Sequence, residues 1–210
     1  MIWAPNVEQA DRTTIEQKQL TGLQDTVKRV YDNVPYYRSK LDELGIKPED
    51  IKQLSDVQKL PFTVKDDLRA HYPFGLLAVP MKQVNRIHAS SGTTGSSTVV
   101  AYTKEDLENW SECIARLVTM AGGSDEDIAQ IAFGYGLFTG GFGLHYGLEK
   151  VGAAVVPMSS GNTKRQIQLL QDFGTTLLIC TPTYAMYMAE VAEAQGVDLR
   201  KLPIRMAMVG

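Results

Sequence analysis

The chain has 210 residues, of which 44% are hydrophobic and 21% are charged, and its formal net charge at pH 7 is −3. This length supports one good-sized domain or a domain with an extension, and the composition is that of an ordinary soluble globular protein. Lysine and arginine are outnumbered and scattered, which excludes a nucleic-acid footprint. A nucleotide would therefore bind at a local site and not through overall charge.

The first residues lack the basic and apolar segments of a secretory signal, and no run approaches the roughly 18 apolar residues that suggest a membrane helix. The two cysteines, Cys113 and Cys180, have no CxxC spacing and lie among apolar residues. This pattern predicts buried free thiols, not a disulfide or a metal site. We therefore expect a cytoplasmic protein with no membrane partner.

Residues 1–84 are expected to form a helical N-terminal region. Thr13-Thr14-Ile15-Glu16 has the spacing of a capping box, and apolar residues then follow one face of a helix. Those positions are Leu20, Leu23, Val27, Val30, Tyr31 and Val34. Pro35 restricts its continuation, and further helices are expected from Tyr36 to Leu44 and from Thr63 onward.

Residues 85–210 are expected to form an α/β subdomain. Two short strands, Val84 to Ser90 and Thr98 to Tyr102, flank a loop of small residues, and Thr103 is expected to cap the next helix. Its apolar face comprises Leu107, Trp110, Ile114, Leu117 and Val118. Further strands are expected at 128–133, 153–158, 176–180 and 205–209, and helices at 140–150, 163–173 and 183–195. These strands are near-continuous apolar runs, which predicts a doubly wound, mostly parallel sheet.

The segment Ser90–Thr98, SSGTTGSST, joins the two short strands. Its two glycines let backbone amides face an anion, and its four serines and three threonines offer hydroxyl donors to phosphate oxygens. It is not a Walker A loop, because the GxxxxGK[ST] spacing and the lysine are absent. We interpret it as a phosphate-binding loop, with a flexible Ser/Gly/Thr turn as the alternative.

A dense run of glycines and aromatic residues, FGYGLFTGG, occupies residues 133–141 at the end of a predicted strand. Ligands of open α/β sheets bind beyond the carboxyl ends of the strands, and aromatic walls suit a flat aryl group. The residues expected to line an acyl pocket are Phe133, Tyr135, Phe138, Thr139 and Gly140. The alternative is an ordinary core with glycines for tight helix packing.

Two histidines and an acidic run can each be interpreted as either structural or functional. His145 on a predicted helix has no carboxylate or nucleophile partner at motif spacing, so a satisfied helix histidine is favoured over a general base. His88 lies beside the phosphate loop and could contact phosphate or simply pair in its strand. The acidic run Ser124–Asp127 is interpreted as a solvated helix start rather than a metal site.

The strand-to-helix turn at Thr181, Pro182 and Tyr184 is expected to cap its helix, and its place at the carboxyl edge makes it a second candidate wall of the site. Gly210 follows the last apolar strand, where a loop at the same edge is expected to begin. That strand is apolar enough to be interior to a sheet. Exposed as an edge, Met206–Val209 would favour homo-oligomerisation.

Several segments resemble the adenylate-forming superfamily, which includes acyl-CoA synthetases, nonribosomal peptide adenylation domains and luciferases. The likeness covers essentially the whole chain. It is carried by VPYYR (34–38), RIHASSGTTG (86–95), TVVAYT (98–103), FGYGLFTGG (133–141), HYG (145–147), QLLQDFGTT (168–176) and CTPTY (180–184). The loop is specific to the superfamily, and GYGLFTGG resembles the phenylacetate–CoA ligase branch.

The resemblance implies ATP-dependent conversion of phenylacetate or a similar aryl acid to acyl-AMP, and then, with CoA, to the thioester. The phosphates of ATP would be held by Ser90, Ser91, Gly92, Thr93, Thr94 and Gly95, with Mg2+ bridging phosphate oxygens. Relatives often carry Lys-Pro where this chain has Ser96 and Ser97, which removes a positive charge near the triphosphate. They often carry tyrosine at Phe133, whose replacement favours an apolar acyl group.

Members of this family are substantially longer, with an adenine-contacting loop, an acidic motif and a mobile C-terminal domain beyond the position of Gly210. The resemblance therefore implies a truncated chain with little or no turnover of its own. Two alternatives stay open: a non-catalytic nucleotide-binding or interaction module, and a ligase for a different aryl acid.

Overall fold

A computed structural model describes residues 1–90 and 97–210. The described residues form two compact units, one comprising Ala4–Lys104 and the other comprising Met1–Trp3 with Glu105–Gly210. The predicted division into 1–84 and 85–210 would place the β-hairpin with the second region, whereas the compact units group it with the helices. That domain boundary stays a prediction.

The unit Ala4–Lys104 contains four α-helices, several 3-10 turns and one hairpin within its described residues. The α-helices are α1 (Pro5–Glu8), α2 (Arg12–Asn33), α3 (Pro35–Glu43) and α4 (Lys65–Ala70). Short 3-10 helices span Pro48–Asp50, Leu54–Lys59 and Met81–Gln83. Val27, Leu41 and Ile51 form the buried cluster that holds these helices together. The predicted helical character of this region is confirmed.

The N-cap of α2 is Asp11 and not the predicted Thr13. The Asp11 carboxylate accepts hydrogen bonds from the backbone N–H and the hydroxyl of Thr14, each at 2.8 Å. Aspartate is a stronger helix N-cap than threonine, so of two candidates that are two residues apart the helix uses Asp11. The end of α2 at Asn33 and the start of α3 at Pro35 agree with the prediction, because proline is suited to the first position of a helix.

The hairpin consists of β1 (Val84–Ala89) and β2 (Val99–Thr103), which pair antiparallel as far as Ala89 and Val99. Beyond that pair, the Ser90 backbone N–H donates to the Thr98 carbonyl, and the Thr98 backbone N–H donates to the Ser90 hydroxyl, both at 2.9 Å. These two bonds close the base of the connection between the strands. The predicted strand–loop–strand arrangement is confirmed up to that base.

The second unit alternates strands and helices. Its helices are α5 (Lys104–Met120), α6 (Gly140–Val151), α7 (Thr163–Asp172) and α8 (Pro182–Ala194), and its strands are β3 (Ile128–Ile131), β4 (Ala154–Val156), β5 (Leu177–Cys180) and β6 (Met206–Val209). The strands form a parallel sheet in the order β4-β3-β5-β6. Every predicted strand and helix of this region is present, most of them with fewer residues than predicted.

Alternate residues of the central strands enter two separate cores. Ala129, Ile131, Leu177 and Ile179 belong to one cluster, and Leu178 and Cys180 belong to another. The first cluster includes residues of α5 and α6, and the second includes residues of α7 and α8. Helices therefore cover both faces of a parallel sheet, as the near-continuous apolar strands predicted.

Helix α6 packs against α5 through glycines. A Cβ atom added at Gly143 would lie 2.5 Å from the Trp110 ring, and one added at Gly147 would lie 2.2 Å from the Ile114 side chain. Both distances are too short for any residue with a side chain, so the two helix backbones approach closely only because these positions are glycine. Tight helix packing therefore accounts for these two glycines.

Two expectations about individual side chains of this unit are wrong. Cys113 is exposed, although Cys180 is buried and free as predicted. Leu117 is 39% exposed, whereas its neighbour Val118 is fully buried. The apolar stripe on α5 is therefore narrower than the spacing suggested, and it is centred on Ile114, Ala115 and Val118.

Candidate functional site

The carboxyl ends of β3, β4 and β5 bring three polar or aromatic segments to one edge of the sheet. The segment after β3 runs into α6 and contains Tyr135, the segment after β4 contains Ser159, and Thr181 follows β5 directly. Ligands bind at this edge in open α/β sheets. This edge is therefore the candidate site, and Tyr135 lies in the first of its three segments.

Tyr135 is half-buried and held at both ends. Its backbone N–H donates to the Ser159 hydroxyl at 3.4 Å, and its ring meets Phe142 edge-on with centroids 5.3 Å apart. Gly141 makes room for this arrangement, because a Cβ there would lie 3.0 Å from the Gly134 carbonyl oxygen and 3.5 Å from the Tyr135 ring. The glycine-rich run thus lets the segment fold back closely over the start of α6.

The Tyr135 hydroxyl lies 3.1 Å from Nδ1 of His145, and Nε2 of His145 lies 3.0 Å from Oε1 of Glu149. The His145 side chain is 20% exposed and that of Glu149 is 53% exposed, so the three groups lead from the edge of the core to the surface. The favoured interpretation of His145 as a satisfied helix histidine is confirmed. The expectation that it lacks a carboxylate partner is wrong, because Glu149 stands one helical turn further on α6.

Burial, followed by the negative charge of Glu149 and the electrostatic effect of the nearby Tyr146 phenol, raises the pKa of Tyr135 to about 12. The hydroxyl therefore keeps its proton at neutral pH and is a hydrogen-bond donor. Removing the charged form from water is the first cause, and the neighbouring groups add to it.

The other predicted pocket residues are spread along the same segment. Phe133 packs against the core cluster beneath it, whereas Phe138 is 67% exposed. Thr139 is the N-cap of α6 but its side chain makes no capping bond, and Gly140 begins the helix close to the Phe138 ring. A large aromatic side chain of the core would be buried, so the exposure of Phe138 argues against a core role. It suits a side chain that lines a ligand-binding site.

The segment after β4 was missed from the sequence. Ser159, Gly161 and Asn162 all have positive φ values, of 65°, 83° and 47°. Only glycine adopts this backbone region freely, so the other two residues are held there by their surroundings. Nε2 of Gln166 donates to the Ser159 carbonyl at 2.7 Å, and that buried side chain accepts from Gln130 Nε2 at 2.7 Å. A buried amide pair thus ties this segment to β3.

The turn after β5 joins the same network. The Thr181 hydroxyl accepts from the Tyr184 backbone N–H at 3.3 Å, which confirms the predicted helix cap. The Tyr184 hydroxyl donates to the Gly161 carbonyl at 3.3 Å and lies 3.1 Å from the Thr163 hydroxyl. Pro182 begins α8 and is exposed. Three strand ends are therefore linked by hydrogen bonds at one edge.

The predicted phosphate-binding residues Ser91, Gly92, Thr93, Thr94 and Gly95, together with Ser96, lie outside the described residues. Ser90 is described and closes the base of the connection. His88 is buried in the hairpin, with its ring 5.6 Å from that of Tyr102 in an edge-on contact. Its proposed contact with phosphate stays a prediction, as does the role of Gly210, which is exposed after β6.

The opposite, amino edge of the sheet holds a buried aspartate that is paired with a half-exposed arginine. Asp127 is 2% exposed and forms a salt bridge with Arg205, and it accepts from the Thr176 hydroxyl at 2.6 Å and the Ser124 backbone N–H at 2.9 Å. The interpretation of Ser124–Asp127 as a solvated helix start is wrong, because these residues form a turn that leads into β3. Burial would raise the pKa of Asp127, but the bonds from Thr176, Ser124 and Arg205 outweigh it and hold that pKa below its usual value.

Within residues 1–90 and 97–210, no group of three or more His, Cys, Asp or Glu side chains is placed to hold a metal ion. None of the helices in the same described part of the chain is long and apolar enough to cross a membrane.

Solved structures similar to the chain include 2-hydroxyisobutyryl-CoA ligase in complex with 2-HIB-AMP and CoA, at a TM-score of 0.88 and 27% identity over 95% of this chain and 44% of that one. The same ligase in its postadenylation state gives a TM-score of 0.86 and 26% identity, over 95% and 43% of the two chains. No family model matches the chain. The fold is that of the adenylate-forming CoA ligases.

Curated relatives narrow this class. The chain is 48% identical to the phenylacetate–coenzyme A ligase of Escherichia coli strain K12 over 97% of its length, and 46% identical to that of Aromatoleum evansii over 97%. It is 47% identical to the Thermus thermophilus enzyme over 100% of its length. The chain belongs to the phenylacetate–CoA ligase family. It spans about half the length of these relatives, namely 47%, 46% and 47%.

Proposed function

We propose that this chain supplies the acid-binding and phosphate-binding part of an ATP-dependent ligase that converts phenylacetate or a similar aryl acid to acyl-AMP and then to acyl-CoA. The observation that carries the proposal is its identity of 46–48% to phenylacetate–CoA ligases over 97–100% of its length. The matched length includes the glycine–aromatic segment and α6, which form the candidate acid site.

The aromatic segment supports an aryl acid. The Tyr135 ring is fixed by Phe142 and His145, and the exposed Phe138 ring lies further along the same segment. Aromatic side chains bind an aryl ring more favourably than an aliphatic chain of equal buried area, because pairs of rings have favourable edge-on and offset-stacked geometries. Phe133, Thr139 and Gly140 would complete the wall.

Adenylation needs no side-chain nucleophile. The substrate carboxylate attacks the α-phosphate of ATP and pyrophosphate leaves, so the protein's task is to position the reactants and stabilise the charge that develops. Ser90, Ser91, Thr93 and Thr94, with the amides of Gly92 and Gly95, would hold the β- and γ-phosphates. CoA thiolate then displaces AMP from the acyl-AMP.

Mg2+ would be bound mainly through phosphate oxygens and water, because this ion needs few protein ligands when it accompanies a nucleotide. The described residues offer no acidic cluster for it. A chelation experiment would therefore affect ATP binding and leave the fold of the described units unchanged, as checked by circular dichroism with and without EDTA.

A different acid is the second candidate, and a specific observation favours keeping it. The solved structure with a TM-score of 0.88 is a ligase named for 2-hydroxyisobutyrate, so this fold accepts a small hydroxy acid as well as an aryl acid. The comparison that separates the two is a panel of phenylacetate, 4-hydroxyphenylacetate, benzoate and 2-hydroxyisobutyrate.

The test joins this chain to the second half of a relative. Residues 1–210 would replace the matching 47% of the E. coli phenylacetate–CoA ligase, to which they are 48% identical. We expect the chimera to release pyrophosphate and to form phenylacetyl-CoA in a reaction that needs ATP, acid and CoA. The intact E. coli enzyme is the positive control, and the 210-residue chain alone is expected to give little or no thioester.

The outcomes separate the candidates. Turnover with phenylacetate supports the aryl-acid ligase. Turnover only with 2-hydroxyisobutyrate would show that the chain belongs to a ligase for a small hydroxy acid and not for an aryl acid. ATP binding by a folded chimera without turnover on any acid would instead favour a non-catalytic nucleotide-binding module. Thioester formation by the isolated chain, at a rate that tracks its concentration, would contradict the expectation that it is incomplete. The intact mass and the encoded reading frame would show whether further sequence follows Gly210.

Two further parts of the proposal concern surroundings. A reducing cytoplasm suits an exposed free thiol at Cys113, since such thiols oxidise outside the cell.

Strand β6 is paired only with β5 in the described sheet, and its residue Val209 is 52% exposed. An apolar edge of this kind favours association with a second strand. Sedimentation of the purified chain at two concentrations would test whether it forms oligomers.

A further inference from the structure

Tyr135, His145 and Glu149 form a chain of hydrogen bonds that the adenylation chemistry does not require. Tyr135 comes from the segment after β3, and the other two residues are one turn apart on α6. The His145 ring also meets those of Tyr135 and Tyr146 edge-on, with centroids 5.8 Å and 5.3 Å apart. These contacts leave the imidazole little freedom to turn.

The partners decide which nitrogen of neutral His145 carries its proton. An ionised carboxylate only accepts hydrogen bonds, so the 3.0 Å contact with Glu149 requires the hydrogen on Nε2. Nδ1 is then a lone-pair acceptor, and the 3.1 Å contact requires the Tyr135 hydroxyl to donate to it. A tyrosine hydroxyl is protonated at neutral pH, and the pKa of Tyr135, raised to about 12, keeps it so over a wider range.

We propose that His145 and Glu149 are positioning residues that commit the Tyr135 hydroxyl proton to the protein, so that the acid site disfavours aryl acids whose ring substituent can only accept a hydrogen bond. A hydroxyl that donates to His145 cannot also donate to a substrate, although its oxygen can still accept. A ring substituent that can only accept a hydrogen bond would therefore remain unsatisfied. The cost of such an unsatisfied group is what discriminates between closely similar acids. This inference rests on the proposed function for its substrate but not for its geometry.

The geometry is tested on the 210-residue chain with 15N-labelled histidine and NMR. The chain contains three histidines, so the His145 signals are those missing from a His145→Leu variant. We expect the neutral His145 ring to carry its hydrogen on Nε2 and to have a hydrogen-bonded Nδ1. In Tyr135→Phe, the Nδ1 signal should move toward the position of a free acceptor nitrogen.

Matched variants separate this effect from general disturbance. Tyr184→Phe removes a hydroxyl from the same edge that bonds Gly161 and Thr163 and not His145, so it should leave the His145 signals in place. Glu149→Leu should give a mixture of both tautomers, and Glu149→Gln, which keeps an acceptor oxygen, should restore the Nε2 form. A wild-type ring with its hydrogen on Nδ1, or no response to Tyr135→Phe, would overturn the proposal.

Selectivity is tested in the chimera that carries this chain. His145→Leu frees the Tyr135 hydroxyl to donate to a substrate. The ratio of kcat/KM for phenylacetate to that for 4-methoxyphenylacetate, whose ether oxygen can only accept, should therefore fall about tenfold. The double variant His145→Leu/Tyr135→Phe should lose this gain, which a merely loosened site would not. KM values for ATP and CoA should not change in parallel.

The two failures are distinguishable. An inactive wild-type chimera counts against the proposed function, and the NMR result then decides the inference alone. An active chimera in which His145→Leu leaves the ratio unchanged overturns the selectivity role, whatever the tautomer.

Discussion

The two edges of one parallel sheet are built in opposite ways. At the amino edge, Asp127 is 2% exposed and every bond to it comes from a well-defined donor. At the carboxyl edge, two non-glycine residues have positive φ values and Phe138 is 67% exposed. The contrast teaches that the strands are anchored at one end, which allows strain and exposure at the other.

The largest effect is expected from breaking the anchor. Asp127→Ala should lower the free energy of unfolding by about 3 kcal/mol, chiefly because the Thr176 hydroxyl and the Ser124 N–H lose their acceptor. The half-exposed Arg205 contributes less, since water replaces its partner. Chemical denaturation followed by tryptophan fluorescence measures it, since both tryptophans lie in this unit. Glu126→Ala at the exposed neighbouring position should change the stability by less than about 0.5 kcal/mol. Equal effects of the two variants would mean that the anchor is not energetically distinct.

A second substitution tests the packing of α5 against α6, the helix that carries part of the carboxyl edge. Gly147→Ala should lower the free energy of unfolding by about 2 kcal/mol, because its Cβ would lie 2.2 Å from Ile114 and force α5 and α6 apart. Gly136→Ala is the control, since an added Cβ there meets nothing within 4 Å. A tolerated Gly147→Ala, with an unfolding midpoint like the control, would show that the helices can separate without cost.

Acid should weaken the anchor in part. The pKa of Asp127 is lowered in the folded chain, so its stabilisation is fully present above the unfolded value near 3.9 and is lost as the pH falls through the lower folded value. The stability difference between wild type and Asp127→Ala should therefore shrink between about pH 5 and pH 3. Denaturation curves at each pH measure this. A constant difference over that range would indicate an unshifted carboxylate.

The smallest effect on stability is expected at the exposed aromatic residue. Phe138→Ala should change the free energy of unfolding by less than about 0.5 kcal/mol, because two thirds of the side chain, 67%, is already exposed. The same variant in the chimera should raise KM for phenylacetate several-fold without affecting KM for ATP. A large loss of stability with an unchanged KM would place Phe138 in the core and not in the acid site.

The sequence predicted the order of elements in the second unit because long-range packing and local pattern agree there. β5 is apolar on both faces and β3 is apolar except for the buried Gln130, and helices cover both faces of the sheet. Their exact ends were less well predicted, since the polar or glycine residues that follow a strand decide where pairing stops. The cap of α2 was missed for a similar reason, because Asp11 and Thr13 are both good caps.

The site was predicted unevenly. Tyr135 and Phe138 are conspicuous in a glycine–aromatic run, but the environment of Asp127 depends on Arg205, which is 78 residues away. No local pattern reveals such a partner, so a buried anchor was interpreted as a solvated run. Glu149 could have been found, because a spacing of four residues places two side chains on one helix face. The loop after β4 is revealed only by its backbone angles.

The glycine contact between α5 and α6 also constrains how the acid site can change. Gly143 and Gly147 lie about 200° around α6 from His145 and Glu149, so one face is pressed on Trp110 and Ile114 while the other holds Tyr135. A side chain at Gly147 would displace α6 from α5, and the same helix carries His145, whose Nδ1 lies 3.1 Å from the Tyr135 hydroxyl. Substitutions on the two faces should therefore be non-additive in both stability and acid preference. A relative that changes its acid preference through substitutions beside Tyr135 would therefore still need glycine at the positions of Gly143 and Gly147.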